Sequence, residues 1–433
     1  MACPPLDVLC IDDESLLRAY LTDASPLRGN LPQAVLFPSD AAEVAKVIRW
    51  ANKEKVAVYP YGGGSSLVGS PLPFDGIVVD TSLLLDLEVF EKDKLVLAGA
   101  GWRLSELNHV LRRYGLWFPV DPGSVEWATV GGVVATNAGG IRAVKYGLTS
   151  DHVRALEFVT PVGEVVWSGA WAKKSSTWLR VHQLLVGSEG TLGIVTKALL
   201  TLSRVPERRE AVLLLFEEAE EMGEAVLDIL ELAPSALEFM DPKTVRAVNS
   251  RTDMSLKMPE KYLLLVEFDD ERSSEKTKLI LDKYEGIKED PETLWKYRKL
   301  AGPSLTLVKG SRSDWDVAVP VSLLPEAIKF VYENARDWEV AVFGHAGDGN
   351  LHVNLLHPPG EEWVRKAIEK AKEIICEMSK RYKATVSGEH GIGLLKLALL
   401  GCEVDEPALE LWKAIKKALD PNLILNPGKK IPL

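Results

Sequence analysis

Two histidines stand at the feet of one tight turn in His345-Ala346-Gly347-Asp348-Gly349-Asn350-Leu351-His352. Paired strands flanking such a turn can aim both imidazoles to the same face, which makes a two-point claw for a metal ion. Asn354, two residues further on, shares that face by strand alternation. Glu389, in Ser387-Gly388-Glu389-His390-Gly391, offers a hard third ligand, and His390 beside it can point the other way, towards a substrate. Two imidazoles and a carboxylate with an open position are the pattern of a catalytic Zn²⁺ site, and the same donors suit Mn²⁺ or Fe²⁺. The competing reading is a hairpin whose histidines only hydrogen-bond across strands while Glu389 pairs with a lysine.

A second chemistry is written in glycine. Tyr61-Gly62-Gly63-Gly64-Ser65-Ser66-Leu67-Val68-Gly69-Ser70 follows a short expected strand, Val56–Tyr59. A backbone so free of side chains lets amides approach an anion such as a pyrophosphate. The phosphate-loop Gly-Lys-Ser/Thr and the Gly-x-Gly-x-x-Gly fingerprint are both missing, so neither a kinase nor a Rossmann reading is supported. Pro122-Gly123-Ser124 through Thr129 to Gly140 is a second run of small residues, unable to fill a core by itself and expected to press its backbone on something flat or charged. A third, Val186-Gly187-Ser188-Glu189-Gly190-Thr191, sets an acid among glycines before a strand. Taken singly, these could be a mobile turn, tight packing between lobes and a β-bulge.

Periodicity supplies the elements that must position these segments. Val44, Val47, Ile48 and Ala51 keep helical spacing and predict a helix from Ala41 to Lys55, capped by Ser39 or Asp40. Strands are predicted at Ile77–Asp80, Leu87–Phe90 and Leu95–Ala98, and a helix at Leu104–Tyr114. A hairpin about Gly163 and a strand over Gly193–Ser203 follow. Beyond Pro206 the pattern becomes strand–helix units, which predict a second antiparallel sheet covered by helices on one face. The hairpin of the two histidines and a helix from Glu361 to Tyr382 belong to this half. The fold class is therefore α+β with two lobes.

Composition narrows the class of function. With 62 acidic and 51 basic residues the net charge is −11, which makes unselective binding to nucleic acid a poor expectation. Cys3, Cys10, Cys376 and Cys402 form no Cys-x-x-Cys pair, so neither a disulfide framework nor an iron–sulfur cluster is predicted, and a reducing compartment fits best. No apolar run is long enough to span a bilayer, and residues 1–13 carry acids where a secretory signal carries bases. The chain thus reads as cytoplasmic. Trp102, Trp117, Trp127, Trp167, Trp171 and Trp178 are assigned to packing between lobes.

Together, in this order and spacing, the motifs resemble the FAD-linked oxidases of the vanillyl-alcohol oxidase or p-cresol methylhydroxylase type, from about Leu31 to a C-terminal Asp420-Pro421-Asn422-Leu423-Ile424-Leu425-Asn426-Pro427-Gly428-Lys429. Within that group the chain is most similar to the D-2-hydroxyacid dehydrogenases, of D-lactate dehydrogenase and glycolate oxidase flavin-subunit type. The resemblance implies an FAD-binding domain over 1–206, with 1–30 as an extension. It also implies a substrate or cap domain over 207–400 and a segment, 401–433, returning to the FAD domain. FAD would be held by Tyr61, Gly62, Gly63, Gly64, Ser65, Ser66, Gly69 and Ser70 at its pyrophosphate, and lined by Pro122, Gly123, Ser124, Thr129, Gly132, Asn137 and Gly139. Glu189, Gly190 and Ile194 would meet its adenosine and ribose, with Asn426 also at the cofactor. Tyr61 stands where many relatives carry a flavin-linked histidine, so the FAD is expected to be noncovalent. His345, His352 and Glu389 would hold the metal, most simply Zn²⁺, while Asn354 touches the substrate, His390 acts as base and Arg298 pairs with the substrate carboxylate.

The implied reaction oxidises a small D-2-hydroxy acid to the 2-oxo acid by hydride transfer to flavin N5. Electrons then go to a separate acceptor, whether a quinone, an iron–sulfur subunit or a cytochrome. That acceptor could attach the protein to the inner membrane face, and a homodimer or a hetero-oligomeric complex would each suit this role. The alternatives are a non-redox enzyme of the alkyl-dihydroxyacetonephosphate synthase type and a non-catalytic flavin subunit of a larger oxidase. Relatives that take D-2-hydroxyglutarate carry a lysine where this chain has Asp314, and repulsion by that anion would favour a monocarboxylate.

Overall fold

The computed structural model describes residues 3–253 and 255–433. Leu9–Ile11, Ala34–Phe37, Ile77–Asp80 and Val58–Tyr61 form a four-stranded sheet in that order, antiparallel only at its first strand. The helix Ala41–Glu54 buries Val44, Val47, Ile48 and Ala51 against it. Asp40 caps that helix by accepting from the Glu43 amide at 2.8 Å, and left-handed Lys55 ends it. The expected Val56–Tyr59 strand runs Val58–Tyr61 instead, so the glycine loop leaves from the end of a buried parallel strand. A five-stranded antiparallel sheet follows in the order Leu87–Phe90, Leu95–Gly99, Ile194–Thr201, Val153–Val159, Val165–Gly169. The last two strands form the expected hairpin, turning at Gly163, whose φ of +88° favours glycine. The helix Leu104–Leu111 closes in a 3₁₀ turn, Arg112–Tyr114.

The small-residue run after Thr129 departs from expectation. It contains a helix, Val130–Thr136, whose Val130, Val133 and Val134 are buried in the core, so the run does contribute packing. Thr129 caps it through its hydroxyl, which accepts from the Gly132 amide at 3.2 Å.

The C-terminal half is built on one seven-stranded antiparallel sheet in the order Gly286–Glu289, Glu210–Phe216, Tyr262–Phe268, Ala236–Met240, Glu339–His345, Asn350–His357, Ser311–Ala318. Helices cover both of its faces, not one. Leu214, Phe239, Val266, Val342 and Val353 pack under Ala219–Leu230, Leu324–Asn334 and Glu361–Tyr382. Leu213, Met240, Leu265 and Ala341 pack under Pro242–Asn249, Pro291–Lys299 and Ala301–Lys309. The second helical layer went unexpected because Pro242–Asn249 is short and the two later helices run together.

The halves are joined at several points, by backbone pairing and by buried ion pairs. The last segment returns to the first sheet, where Val58 and Leu425 form a bridge and the Asn426 amide donates to the Val58 carbonyl at 2.8 Å. Arg142 reaches from the first half between Asp121, at 2.5 Å, and the buried Glu267 of the large sheet, at 2.9 Å. Glu267 also takes Arg209 at 2.6 Å and the Trp295 indole at 2.7 Å, so a charge that burial alone would expel is fully paired.

The cysteine expectation is corrected. Cys3 pairs with Cys10 and Cys376 with Cys402, their Cα atoms 6.0 and 5.1 Å apart. The fold creates that proximity, which spacing in the chain does not reveal. Disulfides also occur inside the cells of hyperthermophiles, so the pairing does not by itself assign a compartment. No helix among the described residues is long and apolar enough to cross a membrane. The second bridge closes a loop of 26 residues, tying the long helix to the segment after the Glu389 loop. Replacing Cys376 and Cys402 by serine should therefore cost about 3 kcal/mol, read in calorimetry as a lower thermal midpoint and a smaller further drop on adding reductant than the parent shows.

Candidate functional site

Strand alternation sorts the large sheet near the turn between His345 and His352. Trp315, Val317, Val342, Leu351 and Val353 face the core under Ala219–Leu230, Leu324–Asn334 and Glu361–Tyr382, which leaves Asp314, Asp316, Phe343, His345 and His352 on the opposite face. His352 lies opposite Phe343 and Asp316, and His345 opposite Glu238, so each imidazole has a carboxylate as its cross-strand neighbour. The sequence reading of the hairpin is correct in this respect, since both histidines do share a face.

Glu389 and His390 come from the loop after the Glu361–Tyr382 helix, and Asp316 fixes that loop. Its carboxylate accepts from the amides of Glu389 at 2.5 Å and His390 at 3.1 Å, from the Ser387 hydroxyl at 3.2 Å and from the buried Lys396 ammonium. A Cβ on Gly388 would lie 2.0 Å from the side-chain nitrogen of buried Asn350, which would have to shift.

His345 Nε2, His352 Nε2 and Glu389 Oε1 make a triangle with sides of 3.4, 3.5 and 3.5 Å. Ligand atoms about 2.0–2.2 Å from one ion at tetrahedral angles stand about 3.3–3.6 Å apart, so the triangle can hold a single ion without rearrangement. The outer nitrogen of His345 is engaged by Glu238 Oε1 at 2.6 Å, and that of His352 faces Asp314 at 3.6 Å, the carboxylate support that ligating histidines use. Burial opposes ionisation here, yet Glu238 and Glu389 hold His345 well above its ordinary range. Glu389 itself resists burial and is held down to about 2 by the histidines around it. For His352 burial dominates and its pKa is lowered.

His390 presents Nε2 at 3.7 Å from Glu389 and turns Nδ1 to Asp316 at 3.2 Å. Burial pulls its pKa down, but the Asp316 charge wins and the pKa is raised. This imidazole is thus oriented by a carboxylate behind it, an arrangement suited to accepting a proton at Nε2.

Arg298, Arg312 and Phe343 complete this end. Arg298 is buried, with its guanidinium 4.6 Å from the Phe343 ring centre and 2.7 Å from Glu238. Arg312 pairs with Asp314 at 2.9 Å and donates to the Asn354 side chain. Two expectations change here. Asn354 is fully buried beneath Arg312, donating to the His352 carbonyl at 2.9 Å, and it does not line the cavity. The Asp314 charge is balanced by Arg312, so simple repulsion of a distal carboxylate loses its basis.

A cavity of about 850 Å³ joins this cluster to the glycine segments, lined on one side by residues 61–66, Thr129 and Gly132 and on the other by Arg298, Arg312, His345, His352, Glu389 and His390. Its size suits a large cofactor with a small substrate. The glycines are needed for it, since a Cβ on Gly63 would lie 1.9 Å from the Trp127 carbonyl and one on Gly62 would lie 2.7 Å from the Thr129 hydroxyl. The amides of Gly63, Gly64, Ser65 and Ser66 meet no acceptor among the described residues. Pro122, Gly123, Ser124, Ser70, Glu189, Gly190 and Ile194 also line the cavity. Gly69, Asn137, Gly139 and Asn426 do not. Asn137 accepts from the Ser150 amide at 2.8 Å, and Asn426 donates to the carbonyls of Ser70 and Glu189 at 3.2 and 2.7 Å.

The Glu189 carboxylate is also committed elsewhere. It takes the Ser70 hydroxyl and the amides of Ile392 and Gly393 at 2.8 and 2.7 Å, joining the glycine loop to the Glu389 loop. Buried Lys429, held to about 8 by burial, donates to the Leu72 carbonyl at 2.7 Å below that loop. His152, His182 and His357 bond to neighbouring backbone or hydroxyl groups away from the cavity.

Residues 32–169 match the FAD binding domain family and residues 205–430 the C-terminal domain of FAD linked oxidases. The chain belongs to the FAD-linked oxidase family. It is 35% identical to a mitochondrial D-lactate dehydrogenase [cytochrome] of Arabidopsis thaliana over 93% of this chain and 74% of that one. Identity to the glycolate oxidase subunit GlcD of Bacillus subtilis is 31% over 96% and 93%. To a D-2-hydroxyglutarate dehydrogenase of Stutzerimonas stutzeri it is 31% over 97% and 95%. An alkyldihydroxyacetonephosphate synthase structure superposes with a TM-score of 0.73 at 19% identity, covering 96% of this chain and 83% of that one, which shows a shared two-lobed fold. The glycine-lined cavity fits the FAD that membership of this family brings, and the protein is a flavoprotein oxidoreductase.

Sequence reasoning missed Glu238, Asp316, Arg312 and Lys396 as site residues. An acid inside the apolar run Ala236–Met240 was the available signal for Glu238. Because Asp316 raises the pKa of His390, flavin reduction should gain rate with rising pH through a pKa above the ordinary 6.5. Asp316→Asn removes that charge, so the rising limb should move to lower pH in stopped-flow profiles while FAD content stays constant. An unmoved limb would mean that His390 is not the base.

Proposed function

We propose that this flavoprotein oxidises a short D-2-hydroxy acid, of the D-lactate or glycolate type, to the 2-oxo acid. The observation that carries the reading is the single cavity that sets a glycine cradle opposite the arginine, histidine and carboxylate cluster. FAD would supply the two-electron acceptor, taking the substrate Cα hydrogen as hydride at N5. A divalent ion on His345, His352 and Glu389, of the Zn²⁺, Mn²⁺ or Fe²⁺ class, would supply Lewis-acid polarisation of the hydroxyl. The protein does the rest: His390 Nε2 accepts the hydroxyl proton, Asp316 holds that ring in register, and Arg298 with Arg312 binds the carboxylate.

Charge supports a monocarboxylate substrate on new grounds. The cations Arg298, Arg312 and Lys396 pair with Glu238, Asp314 and Asp316, while Glu389 is a fourth carboxylate whose ion-pair contacts are the histidines. Ligation of an ion would keep His345 and His352 neutral, and with His390 neutral as the base the side chains sum to three against four, a net −1, which a divalent ion would turn into +1. One substrate carboxylate then neutralises the centre.

The FAD would be noncovalent, since Tyr61 packs edge-on against Tyr20, 4.7 Å between centres, and the cavity's histidines are those of the cluster. Residues 1–206 with 401–433 would hold FAD and 207–400 the substrate. All four cysteines are in disulfides, which leaves none for an iron–sulfur cluster, and electrons would pass to a separate quinone, iron–sulfur subunit or cytochrome.

Anaerobic addition of D-lactate or glycolate to the holoenzyme should bleach the oxidised flavin band, with equimolar 2-oxo acid formed, while L-lactate leaves the band in place. Failure of every short D-2-hydroxy acid to bleach it would refute the assignment.

A further inference from the structure

The tryptophans were expected to pack between lobes, but residues 171–180 form an irregular loop in which every residue is exposed. The loop follows Val165–Gly169, the edge strand of the five-stranded sheet. Its base is anchored, because Trp171 stacks on Trp167 with 5.8 Å between centres and meets Phe90 edge-on at 5.0 Å. Its outer part is not. Trp178 is 43% exposed and Leu179 89%, an uncommon expense of apolar surface on adjacent residues. Lys173, Lys174 and Arg180 are exposed beside them, and the loop has no acid, on a chain whose net charge is −11.

We propose that this loop docks on an anionic lipid bilayer, with Trp178 and Leu179 entering the headgroup region while Lys173, Lys174 and Arg180 face lipid phosphates. Local positive charge on an acidic protein is complementary to an anionic surface and selects the one face that can approach it. Tryptophan is suited to the water–lipid boundary, with an apolar body and a polar N–H. Adjacent lysines favour lipid over a protein partner, since lysine is depleted at protein interfaces and its charge needs only a diffuse anionic field. The proposal does not depend on which hydroxy acid is oxidised.

Holoenzyme should co-sediment with phosphatidylcholine vesicles that contain phosphatidylglycerol, lose this at high salt, and ignore pure phosphatidylcholine. Each basic residue near such a surface contributes about fivefold in affinity, so K173Q/K174Q/R180Q should weaken binding on the order of 100-fold. W178S/L179S should also weaken it while leaving the salt dependence in place. Unchanged FAD content and thermal midpoint will show that the variants fold, as expected for side chains that support no core. Absence of binding to anionic vesicles, equal binding to neutral ones, or full binding by either variant would overturn the proposal, and a protein acceptor would then be the occupant.

Discussion

The site depends on one buried carboxylate. Asp316 sits on the last strand of the large sheet, accepts from two amides and a hydroxyl of the 387–390 loop and from the ammonium of Lys396, and lies 3.2 Å from Nδ1 of His390. An unpaired carboxylate could not be buried at this depth. Each partner thus serves both to keep Asp316 ionised and to place Glu389 and His390 over the strands that carry His345 and His352. Glu189 performs the matching task from the other half, binding Ser70 and the amides of Ile392 and Gly393. The loop that bears Glu389 and His390 is therefore gripped at one end by the large sheet and at the other by the first half, at Glu189 beside the glycine loop.

Such a concentration of buried charge is poor material for stability. Removing one partner of a buried ion pair typically costs about 3–5 kcal/mol, whereas replacing the whole pair by packed apolar groups is often neutral. Glu238 with Arg298, Asp314 with Arg312 and Asp316 with Lys396 repeat that costly arrangement around one cavity. Their common feature is that each carboxylate also faces a histidine. The pairs make physical sense as a means of fixing imidazole orientation and proton affinity, which an apolar core could not do.

Much of this was legible in the chain because it rests on local rules. The turn between His345 and His352, the glycines that exclude side chains and the capped Ala41–Glu54 helix all follow from short-range spacing. What escaped was set by pairing across strands distant in sequence. Glu238 meets His345 across 107 residues, and Asp316 meets Glu389 across 73. Asn354 was placed on the correct face, but the height of Arg312 above it, which decides what reaches the cavity, depends on register with Ser311–Ala318. The disulfides escaped although their cysteines are 7 and 26 residues apart, because the path of the chain between them, not the spacing, brings the sulfurs together. The exposed loop at 171–180 was misjudged because tryptophan composition alone does not distinguish a packed ring from one offered to solvent.

The central claim is that the His345, His352 and Glu389 triangle is a loaded metal centre beside FAD, and elemental analysis tests it most directly. Holoenzyme freed of loose ions and measured for metal and flavin together should hold one divalent transition ion per FAD. His352→Ala should keep its FAD and lose the ion. A wild-type protein that, after exposure to Zn²⁺, Mn²⁺ or Fe²⁺, retains no more metal than His352→Ala would contradict the account.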